Sequence, residues 1–248
     1  MKWFSIASLL LTLSCFAASA KWQEAQAMAD QGKWHDAAAL YQEMLKDAPT
    51  DAALHYNRAL CHEQAGEVGP AVLGYERALR LAPRAADARR NLTLLREKHA
   101  LTEANTLAPG LPTFTAWFSR EEWTCLSLAA ALLMIAAAWW AVLRAAPKRR
   151  AFPLSLAILG CFLMTACAVI VRKRGAEDQL AVVTAADVAL RLSPFATAEE
   201  ITASPAGSLI RIQSAQGDFV YAELLPQGTS GWLPLQAVER ITSPVSTP

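Results

Sequence analysis

Hydrophobic positions along this chain fall into three regimes. From about residue 22 to residue 100 they recur with helical spacing among charged residues, which predicts amphipathic helices. From Thr124 to Leu143 and from Ala151 to Val171 the charges vanish for about 20 residues at a time. At about 1.5 Å per residue, each run is long enough to cross a hydrocarbon core of about 30 Å. From Leu180 onward the runs shorten and alternate: LAVVTA, VALRLS, SLIRIQS and DFVYAEL are rich in valine, isoleucine and aromatics. Turn formers such as Pro205-Ala206-Gly207 and Gln216-Gly217-Asp218 separate them, which predicts five or six short strands.

The helical regime repeats itself. GKWHDAAALYQEMLKDAP, Gly32 to Pro49, aligns with GEVGPAVLGYERALRLAP, Gly66 to Pro83, at a period of 34 residues. Gly32 matches Gly66, Ala37 matches Ala71, Tyr41 matches Tyr75, Leu45 matches Leu79, Pro49 matches Pro83, and Asn57 matches Asn91. Such a period marks a helix-turn-helix repeat. Each residue type has a physical task. The glycines permit the left-handed conformation that ends a first helix, the alanines allow close helix approach, the tyrosines fill the gap between helices, and the prolines stop the second helix.

On these residues the segment resembles a tetratricopeptide repeat (TPR) array over about residues 22 to 100. Two repeats and a third helix from Ala86 to about Ala100 make a short array, near the minimum for a stable stack. His55, Arg58 and His62 stand where bulky apolar residues are commoner, so their helix either packs loosely or faces a partner.

Composition sharpens the division. At 54% hydrophobic and 18% charged, the chain is too oily for an ordinary soluble protein. Residues 1–20, MKWFSIASLLLTLSCFAASA, have a basic start, an apolar centre and Ala18-Ser19-Ala20, and read as a cleaved signal peptide. Residues 123–143 and 151–171 read as transmembrane helices joined by a short cytoplasmic loop, 144–150. That loop carries Arg144, Lys148, Arg149 and Arg150 and no acid, which places it on the cytoplasmic side. Arg172, Lys173 and Arg174 blur the rule on the other side, but the export signal forces an out-in-out path. The TPR domain (21–100) and the C-terminal domain (175–242) are therefore both expected outside. A linker (101–122) precedes the first span, Phe114, Trp117, Phe118 and Trp123 gather at the lipid boundary, and residues 243–248 are expected to form a disordered tail.

Residues 175–248 hold three basic and eight acidic side chains, which argues against nucleic-acid binding. Outside the signal peptide and the two spans Cys61 stands alone, so it reads as a small buried hydrophobe.

The strands followed by Gly231-Trp232 and a helical turn resemble a bacterial SH3-like barrel over about Leu180 to Ile241, carried by Val188-Ala189-Leu190-Arg191, Ala206-Gly207 and Gly231-Trp232. That resemblance implies recognition of peptides or cell-wall material by an aromatic surface. Phe195, Phe219, Tyr221 and Trp232 are the candidates; the competing reading has Trp232 and Phe219 closing the core.

The TPR resemblance implies a peptide groove lined by the first helix of each repeat. Asn57 and Asn91 occupy its asparagine position, with Tyr56 and Arg90 beside them. An amide can donate to a carbonyl and accept from an amide at once, which suits an extended peptide. The competing reading has both asparagines satisfying their own helices. Trp22 and Gln26 stand where a carboxylate clamp would place lysine and asparagine, so a full clamp is not expected.

Catalytic signatures are missing from the sequence. It contains no G-x-S-x-G, no Walker loop and no zinc-protease helix, and Glu121-Glu122 and Glu199-Glu200 read as solvated charges. His55, Cys61 and His62 fall short of the ligands a zinc site needs. The expectation is a non-enzyme without cofactor or metal: a multidomain protein with all-α TPR repeats, a two-helix transmembrane hairpin and a small all-β SH3-like barrel.

The order of these parts resembles the BatE type of the Bacteroides aerotolerance family. That resemblance implies a scaffold beside membrane-anchored von Willebrand factor A-domain proteins and a MoxR-type AAA ATPase, in envelope stress tolerance. A cell-wall sensor binding peptidoglycan peptides is the alternative.

Overall fold

The structure is a computed structural model that describes residues 19–101, 118–143, 151–186 and 188–242. Most of the signal segment, the linker aromatics Phe114 and Trp117, the basic loop 144–150 and the tail 243–248 lie outside the described residues. The chain divides into two units, one formed by Met1–Thr106 with Gln179–Pro248, the other by Leu107–Asp178.

Among the described residues the first unit combines five α-helices with one sheet. α1 covers residues 19–30, followed by α2 (Trp34–Asp47), α3 (Ala52–Gln64), α4 (Val68–Leu81) and α5 (Ala86–Lys98). Trp34 and Val68, like Ala52 and Ala86, begin helices one 34-residue period apart. The turns repeat too. Gly32 and Gly66 take φ +75° and +81°. Beside them Lys33 N–H reaches the Met28 carbonyl and Glu67 N–H the His62 carbonyl, each at 2.9 Å, so the helix ends are closed by hydrogen bonds that need a left-handed residue. Asp51 caps α3, its carboxylate accepting from Ala53 N–H at 2.8 Å and Leu54 N–H at 3.3 Å. Ala37, Ala71, Tyr41 and Tyr75 are buried between the helices.

Seven strands follow: β1 (Leu180–Val183), β2 (Val188–Arg191), β3 (Glu200–Ser204), β4 (Leu209–Gln216), β5 (Phe219–Leu224), β6 (Thr229–Pro234) and β7 (Val238–Arg240). They form an antiparallel sheet in the order β3-β2-β6-β5-β4-β1-β7. The sheet is open, in place of the closed barrel that the sequence suggests, and it has seven strands where five or six are expected. Its terminal strands are short, and the edge at β7 is covered by a helix rather than by the opposite edge.

Burial along the strands shows how the helices dock. β5 alternates between half-buried and buried positions, as a strand with one covered face does. β1 is buried at every position. Ala181 and Val183 pack with Ile210, Val220 and Leu233 on one face of the sheet, whereas Leu180 and Val182 face the other way into a core shared with Val72, Tyr75, Leu92 and Leu95 of α4 and α5. Helices and sheet are therefore a single packed body rather than two beads.

The described residues of the second unit form a pair of long helices, α6 (Arg120–Leu143) and α7 (Ala151–Gly175). Ser119 and Glu122 make a reciprocal capping box, Glu122 N–H to Ser119 Oγ at 3.1 Å and Ser119 N–H to Glu122 Oε2 at 2.7 Å. Phe118 packs edge-on against Trp123 at 5.4 Å, stapling the same helix start. Glu121–Trp140 and Ser155–Arg172 are long and apolar enough to cross a membrane. Leu128, Leu132, Ile135, Trp139, Ile158 and Phe162 are exposed on their outer surface, an apolar exterior that suits lipid.

Candidate binding surfaces

The strand register builds one face of the sheet. Arg191 of β2 pairs with Trp232 of β6, Trp232 with Tyr221 of β5, and Tyr221 with Ser214 of β4. Because alternate residues share a face, Phe219 and Tyr221 project away from the buried Val220, Ala222 and Leu224. Tyr221 and Trp232 lie ring against ring at 5.2 Å, both half-buried. Trp232 thus stands outside the sheet core, which Leu233 and its neighbours fill. Beside Phe219 a cleft of about 420 Å³ is lined by Arg191, Asp218, Pro234 and Leu235. Arg191 shapes this corner. Its guanidinium donates to the Ala196 carbonyl at 2.6 Å, the Ala198 carbonyl at 2.9 Å and the Glu200 carboxylate at 3.0 Å, holding the loop that displays Phe195, 65% exposed.

The helical candidates are arranged differently. Asn57 donates its amide to the Ala53 carbonyl of its own helix at 2.8 Å. Asn91 donates to the Tyr56 hydroxyl at 3.2 Å, and the Tyr56 ring packs at 5.8 Å from Tyr75, whose hydroxyl donates to Glu63. Burial pushes the Tyr56 hydroxyl above the ordinary tyrosine range, with Asp87 adding to it. Tyr56 and Asn91 are thus brought together as a strut between α3 and α5, and both amides have internal work. Arg90 is exposed, as is Gln26, while Trp22 turns inward to pack edge-on against Tyr41 at 5.6 Å. Trp232 belongs to the sheet face, not to this group.

Compared with protein-family models and with the curated proteins, the chain matches none.

Among the described residues no three histidine, cysteine, aspartate or glutamate side chains are grouped to hold a metal. Cys61 points into the α1–α3 core with Ala25, Ala37 and Leu45, away from His55 and His62, and burial raises its thiol pKa.

The polar stripe on α3 has a structural explanation that the sequence does not supply. His55 is buried, with Nε2 at 3.0 Å from the Pro49 carbonyl. His62 Nδ1 meets Glu67 Oε2 at 2.5 Å, and His35 Nδ1 stands 3.8 Å from the other oxygen of the same carboxylate. Burial lowers the Arg58 pKa, Glu239 opposing and Arg77 reinforcing the shift. Arg77, missed by sequence reasoning, is the centre of this region. Only 4% exposed, it donates through Nη2 to Glu239 Oε1 and the Arg240 carbonyl, each at 2.8 Å, and through Nε to the Ile241 carbonyl at 3.2 Å. A charged residue in the buried column of α4, between Leu73 and Ala78, was the available signal.

Burial holds both His55 and His62 below the ordinary histidine value. Arg77 and Arg58 further disfavour a charged His55 while Pro49 and Asp51 oppose the shift. For His62, Glu67 opposes it while Arg58 and His35 reinforce it. Below the unfolded pKa of about 6.5 the unfolded chain binds protons that the folded chain refuses, so stability is present above that value and lost as pH falls through it. Melting of the detergent-solubilised chain is expected to drop between about pH 7.5 and about pH 5. In His55→Gln/His62→Gln the drop should shrink. An equal drop in both would assign the acid lability elsewhere.

Proposed function

We propose that this chain is a non-catalytic scaffold of a bacterial inner membrane, with the helices acting as a TPR-type support and the sheet as an SH3-like recognition surface. One observation carries the reading: the helices cover the outer face of β1 and leave uncovered the outer face of β5 and β6, where Tyr221, Trp232 and Phe219 gather. Large aromatic rings with a polar edge are favoured at protein recognition sites. The two asparagines of the helical groove are engaged internally, so the sheet face is the better docking surface.

The anchor is the α6–α7 hairpin, read as two spans with the basic loop in the cytoplasm. Residues before and after the hairpin share a core, which supports their lying together on one side, the periplasm. The proposed partners are membrane-anchored proteins. A Bacteroides aerotolerance complex, with von Willebrand factor A-domain proteins and a MoxR-type ATPase, is the setting that the order of parts suggests. Confinement to one membrane raises the effective concentration of such partners, so a modest face suffices.

The test places a photo-crosslinking amino acid at Ser230, on the same strand face as Trp232, in the full chain in native membranes. A discrete protein adduct that disappears in Trp232→Ala supports the scaffold. Because Trp232 lies outside the sheet core, Trp232→Ala should abolish capture while leaving the melting temperature within a few degrees. Co-sedimentation of the solubilised full chain with purified sacculi tests peptidoglycan binding instead. The full chain is required, since residues 175–242 alone would expose Leu180, Val182, Leu209 and Ile241. The absence of both an adduct and co-sedimentation would remove the sheet face as a recognition site.

A further inference from the structure

The last helix of the stack carries a surface that neither the sheet face nor the groove explains. Residues 80–99 hold six basic side chains, Arg80, Arg84, Arg89, Arg90, Arg96 and Lys98, against two acids, Asp87 and Glu97. Some of this charge has work inside the fold: Arg96 pairs with Glu76 at 2.5 Å and Arg89 donates to the Pro83 carbonyl. Arg90 and Lys98 are exposed on α5, four residues either side of Leu94. Leu94 is itself 51% exposed, whereas Leu92 and Leu95 carry the packing of the helix. Helical spacing puts Arg90, Leu94 and Lys98 in one column, an apolar residue between two cations.

We infer that this column is a contact for anionic phospholipid headgroups. An exposed leucine flanked by cations fits the boundary of a bilayer, where the charges meet phosphates and the apolar side chain enters the upper acyl region. A few basic residues close to an anionic surface each add about fivefold to the local binding constant. The inference rests on the membrane-anchor reading. On that reading the two apolar helices lie in a membrane, and an anionic lipid surface complements a column of two cations and one exposed leucine that holds no acid. This assignment takes Arg90 from the peptide groove and gives it to the membrane.

The test uses the full chain in nanodiscs of phosphatidylcholine alone or mixed with phosphatidylglycerol, reading amide hydrogen exchange across residues 84–99. Expected is about fivefold slower exchange in the anionic discs, reversed by high salt because exposed charges are screened, and absent in Arg90→Glu/Lys98→Glu. A wild-type melting temperature in that variant separates lost lipid contact from lost folding. Equal exchange in both lipids overturns the inference while leaving the anchor standing. Protection that appears in both lipids, or that follows protein concentration and so reports a second copy, also overturns it. A chain that fails to enter nanodiscs removes the anchor, and this contact with it.

Discussion

Replacing Arg77 with alanine is expected to destabilise the helix–sheet unit by about 2–4 kcal/mol, because two backbone acceptors lose their donor and the packing of a long buried side chain goes with it. Three acceptors depend on this guanidinium: the Glu239 carboxylate and the carbonyls of Arg240 and Ile241. Those carbonyls end the sheet at its β7 edge, so the loss is of two kinds. The Glu239 carboxylate, its side chain 37% exposed, loses one of its two cations and keeps Arg58, while two backbone acceptors lose their donor. Arg77→Met keeps most of the side-chain volume and removes only the polar function, so it should recover part of the packing but not the edge. Urea titration of the solubilised chain checks this, with far-UV circular dichroism reporting the helices and amide hydrogen exchange of β1 and β7 reporting the sheet edge. In the wild type the two signals should move together, because α4, α5 and β1 share a core. In Arg77→Ala the midpoint should fall, and the loss of protection in β1 and β7 should precede the loss of helix. A midpoint shift worth less than about 1 kcal/mol would mean that apolar burial alone holds the sheet to the stack.

The contrast between what was legible and what was hidden follows from the range of the interactions. The helix pairs could be read because their determinants are local: Gly66 ends a helix through its own φ, and Tyr75 fills a gap set by helical spacing. The apolar helices could be read because charge-free length is a property of composition. β3 was harder, since Glu200-Ile201-Thr202-Ala203-Ser204 is exposed at most positions and lacks the alternation of β5. Docking of helices on sheet was hidden altogether. Its determinants are a charged residue and a glycine on α4, both of which look like surface features when read locally, and their partners lie more than a hundred residues away. The unbroken burial of LAVV was the one local trace, because a strand covered on both faces loses its polar alternation. For the candidate site, the residue types were legible and the face was not. Whether Trp232 closes the core or lines the outside depends on its register against Tyr221 and Arg191, which one strand alone does not contain. The surroundings of Asn57 were open in the sequence for a local reason, since an asparagine on a helix can reach out or donate to the carbonyl one turn away, and here it donates to Ala53.

Gly69→Ala provides the sharper test, because local propensity and tertiary packing predict opposite signs. Gly69 lies in the first turn of α4, and a glycine-to-alanine change in an unobstructed helix is stabilising by up to about 1 kcal/mol. Here the new Cβ would stand 2.5 Å from the Thr184 carbonyl oxygen, 2.6 Å from Thr184 Cα and 2.7 Å from the Val183 carbonyl oxygen. All three are backbone atoms at the end of β1, so no side chain can swing aside. The strand end is itself pinned: Thr184 N–H donates to the Ala237 carbonyl at 2.9 Å, and Gly207 N–H to the Val183 carbonyl at 2.8 Å. Either α4 retreats and opens the core around Val72 and Val182, or β1 gives up one of these bonds. The expected result is a net loss of about 1–3 kcal/mol, the usual cost of overpacking, despite the gain in helix propensity. Hydrogen exchange locates the damage, with the amides of Val183, Thr184 and Gly207 exchanging faster while those of α2 and α3 stay as in the wild type. If Gly69→Ala raised stability instead, the first turn of α4 would lie clear of β1 in solution, and the shared core would have to be redrawn as two separate ones.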